Sequence, residues 1–156
     1  MRSARFLVAA LALMVASGCT SKPSATEAIA ELEQDVRRLE SDDLFKSPSM
    51  SLRILQRPDK DLPCGENGFK RVLRATANKE RGNEDPDSHL DGAQRVMETT
   101  LSRHLGYKLE QDISQGDAPE GRFIYGTKET GVVVTVHVAS EAPTWHLHAQ
   151  TVCMPR

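Results

Sequence analysis

No catalytic signature runs through this chain. It has no G-x-S-x-G elbow, no H-E-x-x-H, no G-x-G-x-x-G and no phosphate-binding loop, so the common sequence marks of hydrolases, zinc peptidases and nucleotide-binding enzymes are missing. An excess of basic residues is missing as well, with 20 lysines and arginines against 22 acids. That balance argues against a nucleic-acid partner, which needs a basic patch to release counterions. Long apolar runs are scarce: only Phe6 to Val15 is unbroken, and it is too short to span a bilayer as a helix. Cysteine is scarce too, with three residues and no C-x-x-C, which speaks against a redox-active pair. The carboxylates crowd into loops beside lysines and arginines, the usual pattern of a solvated surface.

What the first twenty residues do contain is a processing signal. Arg2 and Arg5 precede the apolar run, and Ala16-Ser17-Gly18-Cys19 follows it, in the order of a secretory leader. This stretch resembles the lipobox of bacterial lipoproteins, with Ala16 where that family most often has Leu. The resemblance implies a diacylglyceryl thioether on Cys19 and cleavage before it, hence a membrane-anchored protein on the extracytoplasmic side. Residues 1–18 are then signal peptide, 19–26 a lipidated tether and 27–156 a single domain. The mature chain keeps 18 basic and 22 acidic side chains, a formal charge of −4. With that sign, anchoring rests on the acyl chains rather than on attraction to anionic lipid. With Cys19 taken by lipid, Cys64 and Cys153 have only each other, and outside the cytoplasm such a pair forms a disulfide. They stand 89 positions apart, a spacing that suits a structural staple.

Two helices are expected. Ser24 and Glu27 have capping-box spacing, and Ile29, Leu32, Val36 and Leu39 follow on one helical face, with Glu31, Glu33, Asp35, Arg37 and Arg38 elsewhere. This helix packs on its own domain in one reading and pairs with a partner in the other. Ser88 and Asp91 suggest the cap of a second helix, on which Ala93, Val96, Met97, Thr100, Leu101 and Leu105 form an apolar stripe ending at Gly106. Before it, Asn83, Asp85 and Asp87 alternate as a calcium loop begins. Ser88 stands where that loop needs its sharp-turn glycine, and Gln94 where it needs a bidentate glutamate, so a solvated loop is expected.

The remainder alternates as strands do. Met50 to Arg57 is a strand ended by Pro58, Ser41 to Ser49 a loop, Asp59 to Gly68 a turn region, and Phe69 to Asn78 a strand that also fits a helical face. Further on, Tyr107, Leu109, Gln111 and Ile113 share one face. Phe123 and Tyr125 share another, as do Val132, Val134, Val136 and Val138, and then Trp145, Leu147, Ala149 and Cys153. These features predict an α+β domain: an antiparallel sheet of about four to six strands, one helix packed on its apolar face, an N-terminal helix before it, and one disulfide.

Pro63-Cys64-Gly65, Leu105-Gly106-Tyr107, Gly131-Val132-Val133-Val134 and Thr151-Val152-Cys153-Met154-Pro155 together resemble the small secreted lipoproteins abundant in high-GC Gram-positive bacteria. The resemblance spans residues 50–155. It implies a shared architecture with a disulfide and implies no activity.

Histidine offers the sharpest local feature. A hairpin through Ala139 to Thr144 sets His137 opposite His146 and Val138 opposite Trp145, with His148 across from Thr135. All three imidazoles then share the side away from the valines. Such a group matches the donor chemistry of zinc or copper, or makes a surface that gains charge below about pH 6.5. A polar sheet face with tolerated histidines is the plain alternative. Three functional classes follow. The first is a non-catalytic binding domain for a protein or envelope ligand, needing no cofactor. The second is a metal-binding or metal-dependent envelope protein using His137, His146 and His148. The third is an inhibitor or immunity-type lipoprotein with one tight partner.

Overall fold

A computed structural model describes residues 24–110 and 121–156. The signal peptide, Cys19, most of the tether, and Gln111 and Ile113 lie outside the described residues. The N-terminal helix α1 (Ala25–Ser41) opens on the expected capping box: the Ser24 hydroxyl accepts from the Glu27 N–H, and the Glu27 carboxylate accepts from the Ser24 N–H. Ser24 to Thr26, expected to end the tether, therefore form the cap and first turn of this helix.

Asp42 ends α1 and immediately caps a short helix α2 (Asp43–Lys46), accepting from the Leu44 N–H at 2.9 Å. A 3₁₀ turn, Pro48–Met50, follows. The expected loop is thus largely helical, because one carboxylate restarts the helix and Phe45 gains burial against Trp145. Strand β1 (Arg53–Gln56) comes next, then β2 (Leu62–Cys64), β3 (Gly68–Lys70) and β4 (Val72–Ala77).

Helix α3 (Pro86–Thr99) is capped by Asp85, whose side chain accepts from the Ser88 N–H at 3.0 Å, with Pro86 at its first position. Asp85 takes the role expected of Ser88 or Asp91, because proline fits the first turn, where no N–H partner exists. The helix widens into a π-helical turn, Thr100–His104, closed by Leu105 N–H to Thr100 O, before Gly106 adopts φ +78. Strands β5 (Lys108–Glu110), β6 (Arg122–Thr127), β7 (Val132–Val138), β8 (Trp145–Thr151) and β9 (Met154–Pro155) complete the chain.

Six strands form one antiparallel sheet in the order β1-β4-β8-β7-β6-β5, and β2-β3-β9 form a small second one. The architecture is α+β, as expected, with one correction: the turn region before Gly68 contains the β2–β3 hairpin. Both helices pack on the large sheet, α1 against β7 and β8, in line with the reading that it packs on its own domain, and α3 against β6 and β7. Val132, Val134, Val136 and Val138 all face this helical layer and are buried with Leu73, Ala75, Leu147 and Trp145. Trp145 is held on two sides: its indole N–H donates to the Ala93 carbonyl at 3.0 Å, and Phe45 meets its ring edge-on.

The disulfide joins Cys64 and Cys153 with Cα atoms 5.8 Å apart. Cys153 does not share the buried face of β8 as expected. Thr151 fills the last inward position, the Val152 N–H bonds to the Gly131 carbonyl, and Cys153 lies in the exposed turn to β9. A side chain at Gly68 would place its Cβ 2.5 Å from the Cys153 sulfur and 2.6 Å from the Cys64 carbonyl oxygen. Glycine is the residue that lets this strand pass the bridge.

Candidate functional site

The helices cover one face of the large sheet, and among the described residues no helix or strand covers the other. Because directly paired residues of antiparallel strands point to the same side, the register fixes two rows across that open face. One runs Phe123, His137, His146, Thr76 and Arg53; the next runs Glu110, Tyr125, Thr135, His148 and Arg74. The expected hairpin register, His137 to His146, Val138 to Trp145 and Thr135 to His148, is the observed one.

At the β6 end of these rows the rings form a ridge. Phe123 and Tyr125 lie nearly parallel, at 19° with centroids 6.2 Å apart. The Phe123 ring sits 4.8 Å from that of His137, which sits 5.9 Å from that of His146. Phe123 is 44% and Tyr125 36% exposed. The expected pairing of these two aromatics on one face is thus correct, and the face is the open one. Ile124 and Gly126 take the inward positions, Gly126 because a Cβ there would press within 3.0 to 3.2 Å of Leu109, Tyr107 and Val134. Gly121, at φ +146, lays its backbone against the His137 imidazole, where a side chain would collide with Nε2. Toward the β1 end the face turns cationic: Arg53 and Arg74 are exposed, and neither pairs with a carboxylate among the described residues.

The three histidines are brought to one face but not to one point. His137 and His146 adjoin, whereas His148 sits one pair further along β8, with Nε2 3.4 Å from the Gln150 amide oxygen. Among the described residues no three histidine, cysteine, aspartate or glutamate side chains form a group able to hold a metal ion.

Burial, reinforced by His146, holds the His137 imidazole below its ordinary pKa. Burial also lowers His148, with the neighbouring Arg74 and Lys70 adding to it and Gln150 opposing it. His89, buried on α3 with Nδ1 3.6 Å from the Glu84 carboxylate, is lowered chiefly by burial and by Lys79. All three bind protons more readily unfolded than folded. Stability should therefore be flat above about pH 7.5 and should fall as the pH drops below about 6.5. Melting temperatures from pH 8 to 5 read this directly, and the slope should shrink in a His137→Gln, His148→Gln variant.

A second cluster lies on the covered side. Lys128 reaches from the β6–β7 turn to Asp35 at 2.6 Å and Glu31 at 2.8 Å on α1. The Tyr107 hydroxyl donates to the other Asp35 oxygen at 2.6 Å, and the Lys128 ammonium stands 4.5 Å over the Tyr107 ring. Asp35 is 1% exposed; burial raises its pKa, while Lys128 and Tyr107 pull it down. Burial and Asp35 push the Tyr107 phenol far up, so it stays protonated as the donor. Asp35 was expected on the polar side of α1. Its spacing of three from Leu32 and four from Leu39 is the sequence signal that places it inward. Every buried polar atom here has a partner, which makes this a docking clasp rather than a reactive site.

A groove of about 390 Å³ opens at the end of α1 between Arg38, Asp42, Asp43 and His104. Leu39 and Leu105 line it as well, and its polar groups face one another, His104 standing 3.9 Å from Asp42. No helix among the described residues is long and apolar enough to cross a membrane. No protein-family model, curated protein or solved structure matches the chain.

Proposed function

We propose that this chain is an extracytoplasmic domain anchored to a membrane through lipidated Cys19, and that it binds an envelope ligand or protein without catalysing a reaction. The binding surface is the open face of the large sheet. The observation that carries this reading is the ridge of Tyr125, Phe123, His137 and His146, on one face with the exposed Arg74 and Arg53. Exposed aromatic rings gathered on one face are costly in water and useful in contact. Flat rings receive apolar faces, imidazoles supply hydrogen bonds of either sense, and guanidiniums receive a carboxylate or phosphate. A ligand matching this order has a ring or apolar plane beside an anionic group.

The test is recovery of a partner from native envelope by crosslinked, lipidated protein. A Phe123→Ser, Tyr125→Ser variant should lose the partner while remaining folded, since neither side chain belongs to the buried core. Undiminished recovery by that variant would refute the ridge as the binding surface.

A further inference from the structure

We infer that the end of the domain bearing the Lys128–Gly131 turn and the disulfide faces the bilayer, and that the ridge is held away from it, toward a partner approaching from the far side. The inference rests on the lipid-anchored reading and adds to it which surfaces the anchor leaves free.

The chain itself sets the limits. Cys19 and Ser24 are five residues apart, a span of at most about 17 Å when fully stretched. Helix α1 starts at that point and has 17 residues, so it extends about 25 Å. Its direction is fixed by its contacts. Glu31 and Asp35, in its first three turns, grip Lys128 at the β6–β7 turn. Leu39, near its other end, lines a small apolar cavity with Phe45 and Trp145 at the start of β8. Thus α1 runs along the sheet from the β6–β7 turn toward the β7–β8 hairpin.

The disulfide belongs to the first of these ends: Val132 pairs with Thr151, the Gly131 carbonyl accepts from Val152, and Cys153 follows. The ridge lies toward the second, running from Tyr125 opposite Thr135 at mid-strand to the hairpin end. His137 and His146 are one step from Val138 and Trp145, the last pair before the hairpin tip. Phe123 lies five residues up β6 from Lys128, about 16 Å at strand rise. A tether of about 17 Å cannot lift the near end of a 25 Å helix high enough for the domain to stand upright on its far end. The domain therefore cannot stand upright on the hairpin tip around Glu141. It can stand on the turn at Glu129, with the ridge above for a partner to engage.

The experiment uses the full lipidated protein in phosphatidylcholine vesicles containing a small fraction of lipid with a nitroxide headgroup. A fluorophore is placed at Glu129→Cys in one sample and at Glu141→Cys in another; both positions are exposed. Vesicle flotation is read first on each. Quenching at position 129 at least threefold stronger than at 141 supports the inference. Flotation with equal quenching, or with stronger quenching at 141, overturns the orientation and leaves the anchor standing. Absence of flotation overturns the anchored reading, and the orientation falls with it.

Discussion

Replacing Lys128 with methionine should destabilise the domain by about 3 to 5 kcal/mol, the range seen when one member of a buried ion pair is removed. The corresponding fall in melting temperature is roughly 10 to 20 °C for a domain of this size. The cause lies in Asp35, which has the Lys128 ammonium on one oxygen and the Tyr107 hydroxyl on the other. Without the ammonium, the carboxylate stays buried with its charge uncompensated. Burial already raises the Asp35 pKa and Lys128 opposes that rise, so the variant's value moves further up. A carboxyl whose folded pKa exceeds its unfolded one favours folding below the unfolded value and loses that contribution as the pH rises through the folded one. The deficit of Lys128→Met relative to the native protein should therefore be largest near neutrality and narrow toward pH 4. Urea titrations at pH 7 and 4 measure both points. Adding Asp35→Leu to Lys128→Met should recover most of the loss, leaving about 1 kcal/mol for the unpaired Tyr107 hydroxyl.

The disulfide should matter about as much. Cys64→Ser with Cys153→Ser opens a loop of 89 residues, and chain entropy assigns such a closure about 4 to 5 kcal/mol. Locally, β9 offers only Met154 and Pro155 to pair with β3, so without the bridge little but the burial of Met154 holds the C-terminus. Hydrogen exchange in the reduced protein should lose protection first at Phe69 and Met154, with Val134 and Val136 in the central strands protected longest. A midpoint shift equivalent to less than about 1 kcal/mol would mean that the reduced chain stays as constrained as the bridged one.

The hairpin of β7 and β8 was legible in the sequence because two signals agree there. Valine alternates with polar residues over the whole of β7, and the connection leaves a single register that buries Trp145 with Val138. The capping box of α1 was legible for a similar reason, since Ser24 and Glu27 need only each other. The direction of Phe123 and Tyr125 was not. Alternation sets a period and leaves its sign open, and it is the inward crowding at Gly126 that turns the aromatics out. The clasp was hidden more deeply. Asp35 and Glu31 read as surface residues of their helix, and their partnership with Lys128 spans 93 to 97 positions. Strands of two or three residues, such as β2, β3 and β9, are too short to show a period at all. In the candidate site, the histidines were visible from register alone, whereas the ridge needed the knowledge of which face the helices cover.

The most direct test of the central claim, that the open sheet face is where this protein meets its partner, is site-specific photo-crosslinking in the native membrane. A photoreactive side chain is placed at Tyr125 on the ridge in one protein and at the exposed Arg95 on α3 in another. Adducts of one defined mass from position 125 and none from 95 are the predicted result. The same adducts from both positions, or adducts from 95 alone, would contradict it.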